Sequence, residues 1–146
     1  MTVAEACALA KPDYLVLSFG LNGIVAFAND KALFINSYNR LINAVKQASP
    51  DTRIILQTVY PIALTNNDFS VDAMTVNRYI MTLNTWIPEI AAAHENVRYA
   101  DTASVLRMSD QALYPSYDAG DGIHLTAAAY EKVLQYLRTH AWQAAS

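Results

Sequence analysis

The chain has 146 residues, 53 % hydrophobic and 16 % charged, with a net charge of −3. That is enough sequence to bury one core and too apolar for a disordered chain. The slight acidity provides no basic field for nucleic acid, and no apolar run reaches the roughly 18 residues of a membrane span. Cys7 is the single cysteine, which excludes intramolecular disulfides and cysteine-clustered metal sites, and it reads as a half-buried thiol. The first residues lack a basic stretch leading into a long apolar run, so they do not read as a signal peptide.

Thr2 and Glu5 fit a capping box, which predicts a short helix to about Lys11, broken by Pro12-Asp13. Tyr14-Leu15-Val16-Leu17-Ser18-Phe19 is a nearly continuous apolar run and predicts a strand covered on both faces. Gly20-Leu21-Asn22-Gly23 follows as a turn, and residues 23–29 read as a loop. Phe34, Tyr38, Leu41, Ile42 and Val45 keep helical spacing and predict a helix from about Asp30 to Ala48, stopped by Ser49-Pro50-Asp51. Residues 54–60 predict a second strand, closed by Pro61, and a polar loop carries Thr65, Asn66, Asn67 and Asp68. A long helix follows, with Val76, Ile80, Leu83, Ile87 and Ile90 on one stripe and Pro88 as a point of strain. Residues 97–100 predict a weaker third strand. After an irregular stretch, Thr126 caps a last helix whose inward face is read as Tyr130, Val133, Leu134 and Leu137.

Strands alternate with helices, and each connection is long enough for a helical crossover. The expected fold is α/β with a parallel sheet and right-handed connections, as a single domain over residues 1–146. In such sheets, ligands bind beyond the carboxyl ends of the strands. Asn22 lies past the end of the first strand, and residues 121–124 lie on the approach to the last helix, so both can reach one edge of the sheet.

Asp121-Gly122-Ile123-His124-Leu125-Thr126 carries the strongest chemical signal. A carboxylate and an imidazole stand three apart in a glycine-flanked turn, where no helix face demands a histidine. Such a histidine can serve as general base for a hydroxyl nucleophile. Asp121 would fix its tautomer and stabilise the imidazolium, and Asp118 competes for that role. His94 and His140 lie at helix ends and read as structural. Asn22 can donate its side-chain amide to a developing oxyanion, and Gly20 allows close backbone approach with an amide of its own. The nucleophile is unassigned. Ser18 is expected to be buried inside the first strand; Ser104 and Ser116 lie in irregular segments; none stands in a tight strand-to-helix elbow.

Residues 14–22, a strand ending in Gly-x-Asn, and residues 121–126, with Asp-x-x-His, resemble the third and fifth blocks of the SGNH (GDSL-type) hydrolases. Residues 57–61 and the helices also stand where that family has them. The resemblance implies a flavodoxin-like three-layer α/β/α fold and hydrolysis of esters, commonly acetyl or lipid acyl groups, through a serine, with no metal or cofactor. It assigns His124 as base, Asp121 as its partner and Asn22 as oxyanion donor. Residues 23–29 and 63–70 would shape the acyl and alcohol sites. Two departures stand out. Gly23 replaces the Asp that usually follows Gly-x-Asn, and the first two blocks, with the Gly-Asp-Ser nucleophile and an oxyanion glycine, are missing. The expectation is therefore a sheet of about three strands, truncated on its N-terminal side, with residues 14–19 as an open edge. That edge would pair with a missing N-terminal segment or with a second copy of the chain. The alternative is a non-catalytic binding or interaction module that retains the fold.

Overall fold

The computed structural model describes residues 1–142. Both halves of the capping box form at the first helix. The Thr2 hydroxyl accepts from the Glu5 amide at 3.2 Å, and the Glu5 carboxylate accepts from the Thr2 amide at 2.6 Å. Helix α1 (Val3–Ala10) ends at Lys11, whose left-handed backbone turns its amide back onto the Cys7 carbonyl. Cys7 is fully buried, deeper than the sequence suggested.

Strands β1 (Tyr14–Leu17), β2 (Arg53–Gln57) and β3 (Val97–Ala100) form a parallel sheet in the order β1-β2-β3. Leu15 registers with Ile54, and Ile54 with Val97. Between β1 and β2 the chain forms α2 (Ile24–Asn29) and α3 (Lys31–Ala48), and α4 (Ala73–Ala92) links β2 to β3. Asp30 and Asp72 cap α3 and α4 by accepting the amides of Leu33 and Thr75, each at 2.9 Å. Helix α5 (Ala127–His140) follows the Thr126 cap.

The period-2 alternation of β2 divides the layers. Ile54 and Leu56 pack with Phe34, Tyr38, Ile42, Leu83 and Ile87 in the main core, on the α1–α4 side. Ile55 faces the other way, with Ala100 and Ala141. The α4 stripe is buried as its spacing predicts, and the helix runs through Pro88.

Several expectations are corrected. Both β1 and β2 end sooner than predicted, at Leu17 and Gln57, because the chain turns off the sheet there into its loops. Residues 24–29 are a helix and not a loop: Ile24 is fully buried, and Phe27 packs its ring against Phe19 and Phe34. β1 is not covered on both faces, since Tyr14 and Val16 are 43 % and 41 % exposed. The buried face of α5 is Ala129 and Val133, packed on Leu106, Leu113 and Leu125. Tyr130 and Leu134 are exposed instead. These last two misreadings share one cause. Among the described residues nothing pairs with the outer edge of β1, and α5 is the one long helix on that face, so its far flank overhangs uncovered sheet.

Candidate active site

Two chain segments meet at the carboxyl edge of the sheet. The first leaves β1 through Gly20, whose φ of +131° favours glycine. A Cβ there would also press within 3.1–3.3 Å of Leu83, Val59 and Phe34. A 3₁₀ turn, Leu21–Gly23, then presents Asn22 at the surface. A cleft of about 250 Å³ opens beside it, with Ser18, Gly20, Asn22, Phe27, Tyr60 and Ile123 among its walls.

The second segment is the turn before α5, which folds around its own carboxylates. One Asp118 oxygen accepts the amides of Gly120 and Gly122, both at 2.8 Å. Asp121 Oδ1 accepts the amides of Ile123 at 2.9 Å and His124 at 2.8 Å, and its Oδ2 lies 2.5 Å from His124 Nδ1. Of the two competing acids, Asp121 therefore contacts the imidazole and Asp118 shapes the turn. Ile123, the residue before His124, lines the cleft; neither His124 nor Asp121 forms a wall.

The electrostatics follow from these contacts. The bond to the His124 ring, reinforced by the His124 and Ile123 amides, holds the Asp121 carboxyl well below the usual carboxylate range. The same bond and the carboxylate charge push His124 above its ordinary value. With Nδ1 committed to Asp121, Nε2 is the atom that can exchange a proton with a hydroxyl. The His124 side chain is 75 % exposed and that of Asp121 49 %, so solvent screens the pair.

Ser18, Ser104 and Ser116 stand in three different segments. Ser18 is exposed on the cleft wall and not buried, because β1 stops one residue before it. The Ser104 hydroxyl donates to the Asp101 carbonyl at 2.6 Å. Ser116 sits in the 3₁₀ turn Pro115–Tyr117. Among the described residues, none of these hydroxyls is hydrogen-bonded to His124. At Gly23, where Asp was expected from the resemblance, a Cβ would lie 2.5 Å from the Phe27 ring. That ring fills the space and lines the cleft. His94 bonds Asn39 through Nε2 at 2.8 Å, tying the turn after α4 to α3, and His140 stacks on Tyr136. Among the described residues no three metal-ligating side chains converge, and no helix is long and apolar enough to cross a membrane.

Sequence reasoning missed two asparagines that hold the segment after β2, one of them at Val59 in the cleft wall. Asn84 brackets Val59, accepting its amide at 2.7 Å and donating to its carbonyl at 3.0 Å. Asn77 brackets Ile62 in the same way, with both bonds at 2.9 Å. The available signal was their spacing: seven residues is about two helical turns, so both polar residues lie beside the apolar stripe of α4. Asn77→Ala strips partners from a buried amide and a buried carbonyl. It is expected to cost about 2–4 kcal/mol in urea unfolding; a loss under half that would mean water replaces the side chain.

The GDSL-like Lipase/Acylhydrolase family model matches residues 3–132. No match was found among curated proteins. Among solved structures, a candidate platelet activating factor from Streptococcus pneumonia superposes with a TM-score of 0.74 at 23% identity, covering 89% of this chain and 60% of its own. A carbohydrate esterase family 3 protein from Talaromyces cellulolyticus gives 0.67 at 19%, covering 92% and 59%. The family 3 carbohydrate esterase of Clostridium thermocellum gives 0.60 at 17%, covering 96% and 65%. The chain thus spans less than two thirds of the length of these structures, and at such identities the likeness speaks for the fold. The fold and the family match agree, and the chain belongs to the GDSL-like lipase/acylhydrolase family.

Proposed function

We propose that the chain carries the base and oxyanion side of a serine ester hydrolase site, acting on small acyl esters. The nucleophilic hydroxyl would come from a polypeptide segment outside residues 1–146. The observation that carries this reading is the hydrogen-bonded His124–Asp121 pair, next in sequence to Ile123, which lines a cleft together with Asn22. In the reaction, His124 Nε2 takes the serine proton as the oxygen attacks the ester carbonyl. The Asn22 amide and the Gly20 N–H receive the oxyanion, each donor worth on the order of 3 kcal/mol in the transition state. Asp121 stabilises the imidazolium, which then protonates the leaving alcohol. His124 next activates water to release the acid from the acyl-serine.

The sheet order supports one place for the serine. A strand added in parallel to the outer edge of β1 would end where Gly20 and Asn22 stand, at the mouth of the cleft. Its arrival would also cover Tyr14 and Val16 and reduce the exposure of His124.

Phe27 in the space of the expected Asp, together with the exposed imidazole, favours a second reading: a binding module that keeps the fold without the chemistry. One experiment separates the two. The isolated chain is expected to take up no fluorophosphonate and to hydrolyse p-nitrophenyl acetate at background rate. The chain joined behind the Gly-Asp-Ser portion of a longer family member should label at that serine and turn over the ester. A folded but inert joined protein would favour the binding module. Labelling of Ser18, Ser104 or Ser116 in the isolated chain would put the nucleophile inside it.

A further inference from the structure

The turn that carries Asp121 and His124 does not hold its shape alone. The loop after β2 captures two successive carbonyls of it: the Ala63 amide donates to the Gly122 carbonyl at 2.9 Å, and the Asn66 side-chain amide donates to the Asp121 carbonyl at 2.9 Å. Asn66 is buried, 7 % exposed, in an otherwise polar surface loop. Its second amide proton goes to the Asp68 carboxylate at 2.9 Å, while its oxygen accepts the Asp68 backbone amide at 3.2 Å. That pair of contacts fixes which end of the amide is nitrogen, since a carboxylate needs a donor and an N–H needs an acceptor. The approach is close as well. A Cβ on Gly122 would lie 2.7 Å from the Asn66 Cβ, and Gly122 has a φ of +79°.

We propose that Asn66 is a positioning residue for the proposed base pair, setting the His124–Asp121 geometry through the carbonyl of Asp121. The physical route is short. Fixing that carbonyl fixes the peptide plane between Asp121 and Gly122. The plane sets where the chain re-enters after Gly122, and so where the Ile123 and His124 amides stand. Those amides hold Asp121 Oδ1, which leaves Oδ2 aimed at the ring. The loop is itself anchored to α4 through the Asn77 bracket on Ile62. The turn is thereby referenced to the main core and not only to α5.

The inference rests on the reading of His124 as base, and its test measures the imidazole and not turnover, so a chain without esterase activity still decides it. In Asn66→Ala, nitrogen-15 NMR should show the downfield His124 Nδ1 proton lost and the ring's titration midpoint moved back toward about 6.5. The amide spectrum of the sheet should be retained. Asn66→Leu, of similar size but with no donor for the carbonyl, should do the same. His124 ring signals and midpoint unchanged in either folded variant would overturn the proposal. Should both variants fail to fold, the native protein decides. The Asn66 side-chain amide protons should exchange with solvent at least tenfold more slowly than those of exposed Asn67, and equal rates would overturn it.

Discussion

Replacing His124 with alanine in the serine-supplied protein is expected to lower kcat on the order of 10⁴-fold, as losing a base from a triad does. KM should change little. The proposed role of the ring is proton transfer, an interaction made in the transition state, so its loss should fall on kcat. The pH dependence has a definite sign. Catalysis needs the neutral ring, and Asp121 raises the His124 midpoint above its ordinary value. The acid limb of kcat/KM should therefore lie above about pH 6.5. Asp121→Asn should shift that limb to lower pH and lower its plateau, because the charge that favours imidazolium and fixes the tautomer is gone. A limb that stays in place would assign it to another group. Stability runs the opposite way. A raised histidine midpoint stabilises the fold fully below the unfolded value, and that contribution fades as pH rises through the folded midpoint. The depressed Asp121 carboxyl contributes above its ordinary range and loses its contribution as pH falls through the lowered value. The two contributions are therefore both full only between the ordinary carboxylate range and the ordinary histidine value, where the ring is protonated and cannot act as a base.

Features written into neighbouring residues were legible in the sequence. The Thr2–Glu5 box, the α4 stripe and the Asp121–His124 spacing each depend on contacts three or four residues apart, and each forms. What was missed depends on distant partners. Residues 24–29 hold apolar side chains at helical spacing, yet six residues are too few to signal a helix without the aromatic cluster of Phe19, Phe27 and Phe34 behind them. Asn66, Asn77 and Asn84 are ordinary polar residues until the loop after β2 folds onto α4 and the turn. The burial forecast for β1 and α5 failed for a further reason. An apolar strand records a face that something covers, not whether the cover belongs to the same chain. Ser18 belongs with that error, because its predicted burial assumed a strand that continued through it.

The edge left by β1 carries the other large expected effect. A sheet of three strands has two edges, and they are built differently. β3 carries Arg98 with its guanidinium over the Trp142 ring at 4.7 Å, the sort of charged residue that discourages further pairing. β1 is Tyr-Leu-Val-Leu with no charge. Beside it, Tyr14, Val16, Ile55, Leu134, Leu137 and Trp142 line an open groove of about 470 Å³. Exposed apolar edges of this kind pair with whatever strand is available. The isolated chain is therefore expected to self-associate at tens of micromolar in light scattering, with Val16→Lys returning it to monomer. The same substitution should suppress ester hydrolysis in the serine-supplied protein, because covering β1 would bury the lysine at a cost on the order of several kcal/mol. The two outcomes are informative together. A wild-type chain that stays monomeric would remove the homodimer while leaving the strand-pairing site to the second measurement. Full hydrolysis with lysine at position 16 would mean that the serine reaches His124 by some route other than the β1 edge.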